Sequence, residues 1–306
     1  MFDPAPRSES NLDAVPEALQ DWQVPDPPPE YPLFHEPAPP ARSRNIPSLA
    51  HTFLFFALAI VILMLGEIIT VGIGHHLPPF RHEDFTALAG DPRLMIPAQA
   101  LQYLVLLGLT AMIFGALWNA PFWRTLRWNA SAAARHWIAL IGIGLLLGLG
   151  SSLAGNYLPM PKEAPILNDL MNSTLGAWLM FLFGTTGAPL IEELAFRGFL
   201  LPSLINGFRS LERSRQISHT TMALLGVPLS ILLTSLPFAL LHSLQVSYAW
   251  APVLLIALVS IALCVVRLWT NSLAASTLVH ATYNFSLFAG MLIASDGFRH
   301  LEKLNS

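Results

Sequence analysis

Apolar residues gather in seven long runs after about Pro47, near Thr52 to Ile73, Met95 to Trp118, Trp137 to Ala154, Leu175 to Leu200, Met222 to Leu244, Trp250 to Trp269 and Leu273 to Ala294. Each approaches the roughly 20 residues that a helix needs to cross the hydrocarbon core of a bilayer. The pattern predicts an all-α, polytopic transmembrane helix bundle over residues 48–306, of about seven spans, with six or eight also compatible. Residues 1–47 read differently. Prolines, including Pro27-Pro28-Pro29, mix there with acids from Asp3 to Glu36, which predicts a disordered or polyproline-like acidic tail. The tail lacks a basic start followed by a short apolar core, so it is not expected to be a secretory signal.

Charge then orients the bundle. Arg42 and Arg44 precede the first run, Arg124, Arg127 and Arg135 lie between the second and third, and Arg209, Arg213 and Arg215 follow the fourth. With seven spans all three clusters fall on one face, while the loop around Lys162, Glu163 and Asp169 is poor in arginine. The positive-inside rule therefore predicts a cytoplasmic N-terminus and an outer C-terminus; Arg81 and Arg93, in the first outer loop, run against it. At 54% hydrophobic and 11% charged the chain is far from the about 25% charge of soluble domains. Its net charge of -3 offers no surface for nucleic acid, and Cys264 alone excludes an internal disulfide.

Chemistry is suggested by the charges that interrupt the apolar runs. A charged side chain at the bilayer centre costs roughly 2.5–3.5 kcal/mol on insertion scales, so such residues face protein or a wet cavity and mark function. Glu192, Glu193 and Arg197 lie in the fourth run, Phe238 and His242 in the fifth, and His280 and Asn284 in the seventh. Successive helical residues turn by about 100°, so Glu193 and Arg197 share a face and Glu192 points elsewhere. Glu193 and Arg197 thus read as an internal ion pair in a supporting role, leaving Glu192 free as a base. By the same spacing Phe238 packs beside His242, and Asn284 sits one turn from His280. One carboxylate, two imidazoles and a carboxamide suit water activation and oxyanion stabilisation. Glu192, His242 and His280 also match a two-histidine, one-carboxylate site for a divalent metal such as zinc. No H-E-x-x-H and no G-x-S-x-G occurs, which removes the specific sequence arguments for zinc and for a serine nucleophile.

The order E-E-x-x-x-R, F-x-x-x-H, H-x-x-x-N, each inside an apolar run, resembles the type II CAAX prenyl proteases and their bacterial abortive-infection-like relatives, the CPBP intramembrane proteases. The resemblance covers about residues 175–288. It implies an all-helical intramembrane endopeptidase of a bacterial inner membrane, acting on a peptide or protein substrate within or near the bilayer. Glu192 and His242 would activate water, and His280 and Asn284 would hold the oxyanion. Prenylation of the substrate does not transfer. Two other readings use the same residues: a non-proteolytic scaffold, immunity factor or adaptor, and a small-solute or proton-coupled transporter.

Three expectations concern geometry. Straight helices would leave Glu192 near the cytoplasmic end of its span and His242 near the outer end of the next, so kinks are expected at Gly184 to Pro189, Pro228 or Pro237. Glu67 is expected to pair with a polar group on another helix, and Gly142, Gly144, Gly148 and Gly150 to serve close helix packing.

Overall fold

The structure, a computed structural model, describes residues 45–161, 171 and 173–304. The acidic tail up to residue 44 and the loop around Lys162, Glu163 and Asp169 lie outside these residues. Among the described residues the elements are helices with no strand. Seven helices are long and apolar enough to cross a membrane: α1 (Leu49–Gly74), α2 (Pro92–Trp118), α3 (Trp137–Gly155), α4 (Thr174–Arg213), α5 (His219–Leu241), α6 (Trp250–Thr270) and α7 (Leu273–Ala294). This is the multi-pass architecture that the apolar runs predict.

The fourth run is the exception, because α4 continues to Arg213 and not to Leu200. In Leu201–Arg213 the apolar residues Leu201, Leu204, Ile205 and Phe208 fall at helical spacing on one face while Asn206, Arg209, Ser210 and Arg213 take the other. Such amphipathicity lowers the local hydropathy without ending the helix.

Prolines explain how α4 bends. Thr186, at φ -127° and ψ -75°, breaks the helix ahead of Pro189, and residues Leu194–Leu200 then widen into a π-helix ahead of Pro202. Proline has no N–H to donate and its ring collides with the carbonyl one turn back. Leu201 N–H donates to the Phe196 carbonyl, so the Arg197 carbonyl loses its helical partner and instead accepts from Arg267 Nε at 3.3 Å. A second π-helix, Met222–Gly226, precedes Pro228 in α5. Pro237 sits inside α5 without interrupting it.

At the centre of the bundle α7 packs against α3, α4 and α6, while α5 packs on α6 and α1 on α2. Close approach of α3 to α7 needs two glycines: a Cβ on Gly144 would meet Thr282 and the Val279 carbonyl, and one on Gly148 would meet Ser286. Gly142 and Gly150 face open space, so only two of the four expected positions are packing sites. Between α5 and α6 the buried Ser230, Thr234 and Ser260 keep the helices close. Ser230 and Thr234 return their hydroxyls to the carbonyls of Gly226 and Ser230, each at 2.7 Å.

Large apolar side chains of α1, among them Phe53, Ile60, Met64 and Ile68, remain exposed, as a lipid-facing surface should. Glu67 lies among them and is exposed as well, so the expected partner on another helix is not found among the described residues. Its register on α1, between Met64 and Ile68, turns it away from the bundle.

Candidate active site

Glu192 and Glu193 end the Gly187–Glu193 segment of α4, where the 100° step per residue sends them to different environments. Glu193 is fully buried. Its Oε1 accepts from Arg197 Nη1 at 2.9 Å and lies 3.1 Å from His280 Nδ1. Arg197, equally buried, also donates from Nη2 to the carbonyl and hydroxyl of Ser260 at 2.9 and 2.6 Å, and its guanidinium lies 4.6 Å from the centre of the Phe238 ring. A buried ion pair persists only when further hydrogen bonds offset its desolvation. Here α6 and α7 supply them, so the expected Glu193–Arg197 pair also ties three helices together.

Glu192 reaches the two histidines instead. Its Oε2 lies 3.7 Å from His242 Nε2 and 3.6 Å from His280 Nε2, with His280 5% exposed and the other two side chains at 21% and 24%. His242 follows immediately after α5, and its Nδ1 lies 2.8 Å from the Phe238 carbonyl. A carbonyl only accepts, so the proton is assigned to Nδ1, and Nε2 turns its lone pair toward Glu192. Phe238 stacks beside this ring with centroids 4.7 Å apart. The expected separation in depth does not arise. Because α4 runs on to Arg213, Glu192 stands near its middle, and the break at Thr186 re-aims the segment.

Asn284, one turn beyond His280, donates from Nδ2 to the Gly184 carbonyl at 2.7 Å. That bond fixes which end of the amide is nitrogen and leaves one N–H and the oxygen for other partners. Glu192, His242, His280 and Asn284 all line one cavity of about 290 Å³. The cavity also has Gln99 and Tyr103 of α2, Gln245 beyond α5 and Tyr283 of α7 in its wall. These four went unnoticed in the sequence. Gln99 and Tyr103 carry a usable signal, being polar at i and i+4 inside an apolar run. They also show that a helix outside the motif-bearing half completes the site.

The metal reading fares differently. Among the described residues no group of three or more His, Cys, Asp or Glu has the arrangement to hold a metal ion. Glu192 Oε2 lies 3.6–3.7 Å from the two Nε2 atoms and Glu193 faces the other nitrogen of His280; carboxylate support of this kind also accompanies metal-ligating histidines, so these distances do not count against a metal.

The wall of this cavity comes from the start of α2, the first half of α4, the end of α5, the first half of α6 and the middle and later part of α7. Following the chain through its spans, these parts lie toward the side opposite the face that carries Arg124, Arg127, Arg135, Arg209, Arg213 and Arg215.

Residues 174–286 match the model of a family described as Type II CAAX prenyl endopeptidase Rce1-like, close to the limits of the resemblance seen in the motifs. No curated protein and no solved structure matches the chain. The matched stretch runs from the first residue of α4 to the middle of α7 and contains all seven motif residues. The chain, a multi-pass membrane protein, thus carries a domain of the type II CAAX prenyl endopeptidase Rce1-like family, an intramembrane CAAX protease family.

Proposed function

We propose that the chain is an intramembrane endopeptidase in which Glu192 and His242 activate water and His280 and Asn284 hold the oxyanion. The observation that carries this reading is a single carboxylate oxygen, Glu192 Oε2, within 3.7 Å of Nε2 atoms from two helices. Those gaps exceed hydrogen-bond length and match a space bridged by water. A water there donates one hydrogen to Glu192 and the other to His242 Nε2. As its oxygen bonds to the peptide carbonyl carbon, Glu192 takes the proton and the carbonyl oxygen becomes an oxyanion. His280 turns its Nε2 toward the cavity beside the remaining N–H of Asn284, and as an oxyanion donor it carries a hydrogen there. Glu192 then returns the proton to the leaving amine as the C–N bond breaks, giving one amine and one carboxylic acid, whose remaining proton passes to His242 Nε2 and on to solvent to leave a carboxylate. No step passes through a metal.

The arginine-rich face is cytoplasmic on this reading, in a bacterial inner membrane, with the N-terminus on that side. The cavity then lies toward the outer face, and a peptide approaches from there or from within the bilayer. The test is cleavage of a peptide library by the protein in proteoliposomes. Wild type should cleave, and Glu192→Ala should lose activity by about 10²–10⁴-fold, the usual contribution of a positioned general base. Full biological function in Glu192→Ala would favour the scaffold or adaptor reading, and pH-driven uptake without cleavage would favour a transporter.

A further inference from the structure

A second cavity, of about 400 Å³, lies at the opposite end of the bundle from the candidate active site and has a different chemistry. Four arginines line it, Arg127, Arg197, Arg209 and Arg267, and among the described residues no acidic one does. Arg197 is neutralised by Glu193. The others are not: neither Arg127, Arg209 nor Arg267 has an ion-pair partner among the described residues.

Arg267 carries the argument furthest. It is 5% exposed, near the end of α6, and its contacts are the carbonyls of Arg197 and Leu126, each at 3.3 Å, and Asn271 Oδ1 at 3.5 Å. These bonds satisfy donors but bring no negative charge. A guanidinium has five N–H groups in a fixed fork, and three such bonds leave two unspent. Beside it, the Nε of the fully buried Arg197 has no hydrogen-bond partner among the described residues. Burying an uncompensated cation is costly, so the arrangement is incomplete without an anion. Arg127 and Arg209 approach the same space from the α2–α3 connection and from α4, both exposed. Positive-inside charge alone accounts for exposed loop arginines. It gives no reason for a buried one to be turned onto the same cavity.

We propose that Arg127, Arg209 and Arg267 form a binding site for a phosphate group at the arginine-rich face of the bundle. Forked arginine donors match phosphate oxygens, and basic pockets between transmembrane helices on the cytoplasmic side receive anionic headgroups. The phosphate comes either from an anionic phospholipid or from solution, and one experiment separates the two. The full chain in neutral detergent is melted with short-chain phosphatidylglycerol, with short-chain phosphatidylcholine and with inorganic phosphate. Phosphatidylglycerol raises the melting temperature and phosphatidylcholine does not. Stabilisation by phosphatidylglycerol alone assigns the site to a lipid, and equal stabilisation by inorganic phosphate assigns it to a soluble anion. In the Arg127→Ala/Arg209→Ala double variant, whose replaced side chains are exposed and leave the core intact, the midpoint concentration rises about tenfold or more. No stabilisation by either anion, or stabilisation undiminished in the double variant, overturns the proposal.

Discussion

Two cavities handle charge in opposite ways: Arg197 lines the arginine-rich one and reaches the other through Glu193, which it shares with His280. On the side of the candidate active site Glu193 is matched by Arg197 and His280, and Glu192 faces two imidazoles. At the arginine-rich end the cations face carbonyls, an amide and one another. Both lie within a bundle whose composition resists charge, yet compensation fixes side chains in place on one side and its lack leaves room for a ligand on the other. The buried Glu193–Arg197 pair is what the first arrangement stands on.

The same substitution made at two arginines should break this comparison if it is wrong. Arg197→Met leaves the buried Glu193 with His280 but without its guanidinium, and should lower stability by about 3–5 kcal/mol. Arg267→Met strands no carboxylate, and in neutral detergent should cost less than about 1.5 kcal/mol, the price of long hydrogen bonds to carbonyls. Thermal or denaturant unfolding of the two variants side by side checks this; equal losses would erase the distinction.

A smaller effect is expected at Asn284. Replacing it with alanine removes one oxyanion donor and should lower kcat by about 10²–10³-fold with little change in KM. A rise in KM at constant kcat would make Asn284 a substrate-binding group instead.

Packing beneath the site offers a third test. Gly144→Ala and Gly148→Ala force α3 away from α7 and should destabilise by about 1–3 kcal/mol. Gly142→Ala and Gly150→Ala, facing open space, should be neutral or stabilise by up to about 1 kcal/mol through better helix propensity. The four melting curves would show whether α7 is held from this side. The smallest expected effect is that of chelation. Dialysis against a chelator should leave peptide cleavage within about twofold, because the proposed proton transfers need only side chains; activity lost and then restored by zinc would favour the two-histidine, one-carboxylate metal site.

How much of this was legible follows from range of interaction. The spans were readable because a membrane helix is specified by its own hydropathy. So was Glu193 with Arg197, a contact one helical turn long. The end of α4 was not, since Leu201–Arg213 is held by its apolar face and its polar face masks it from a hydropathy window. That error produced the apparent depth mismatch between Glu192 and His242. The outward placement of Glu67 depends on which face of α1 meets α2, and the role of Arg267 depends on a carbonyl left free by Pro202, five residues after Arg197 in another helix. Neither can be read along one segment. The convergence of Glu192, His242 and His280 was anticipated only through motif order, and the contribution of Gln99 and Tyr103 from α2 was not anticipated at all.

Groups that act as one unit lose activity together and not multiplicatively. The most direct test is therefore a double-mutant cycle on peptide cleavage with Glu192→Gln, His242→Ala and the pair combined. If both serve one water, each single variant loses about 10²–10⁴-fold and the double variant is scarcely worse. Losses that multiply, or a Glu192→Gln variant that cleaves like wild type, would contradict a shared water-activating centre.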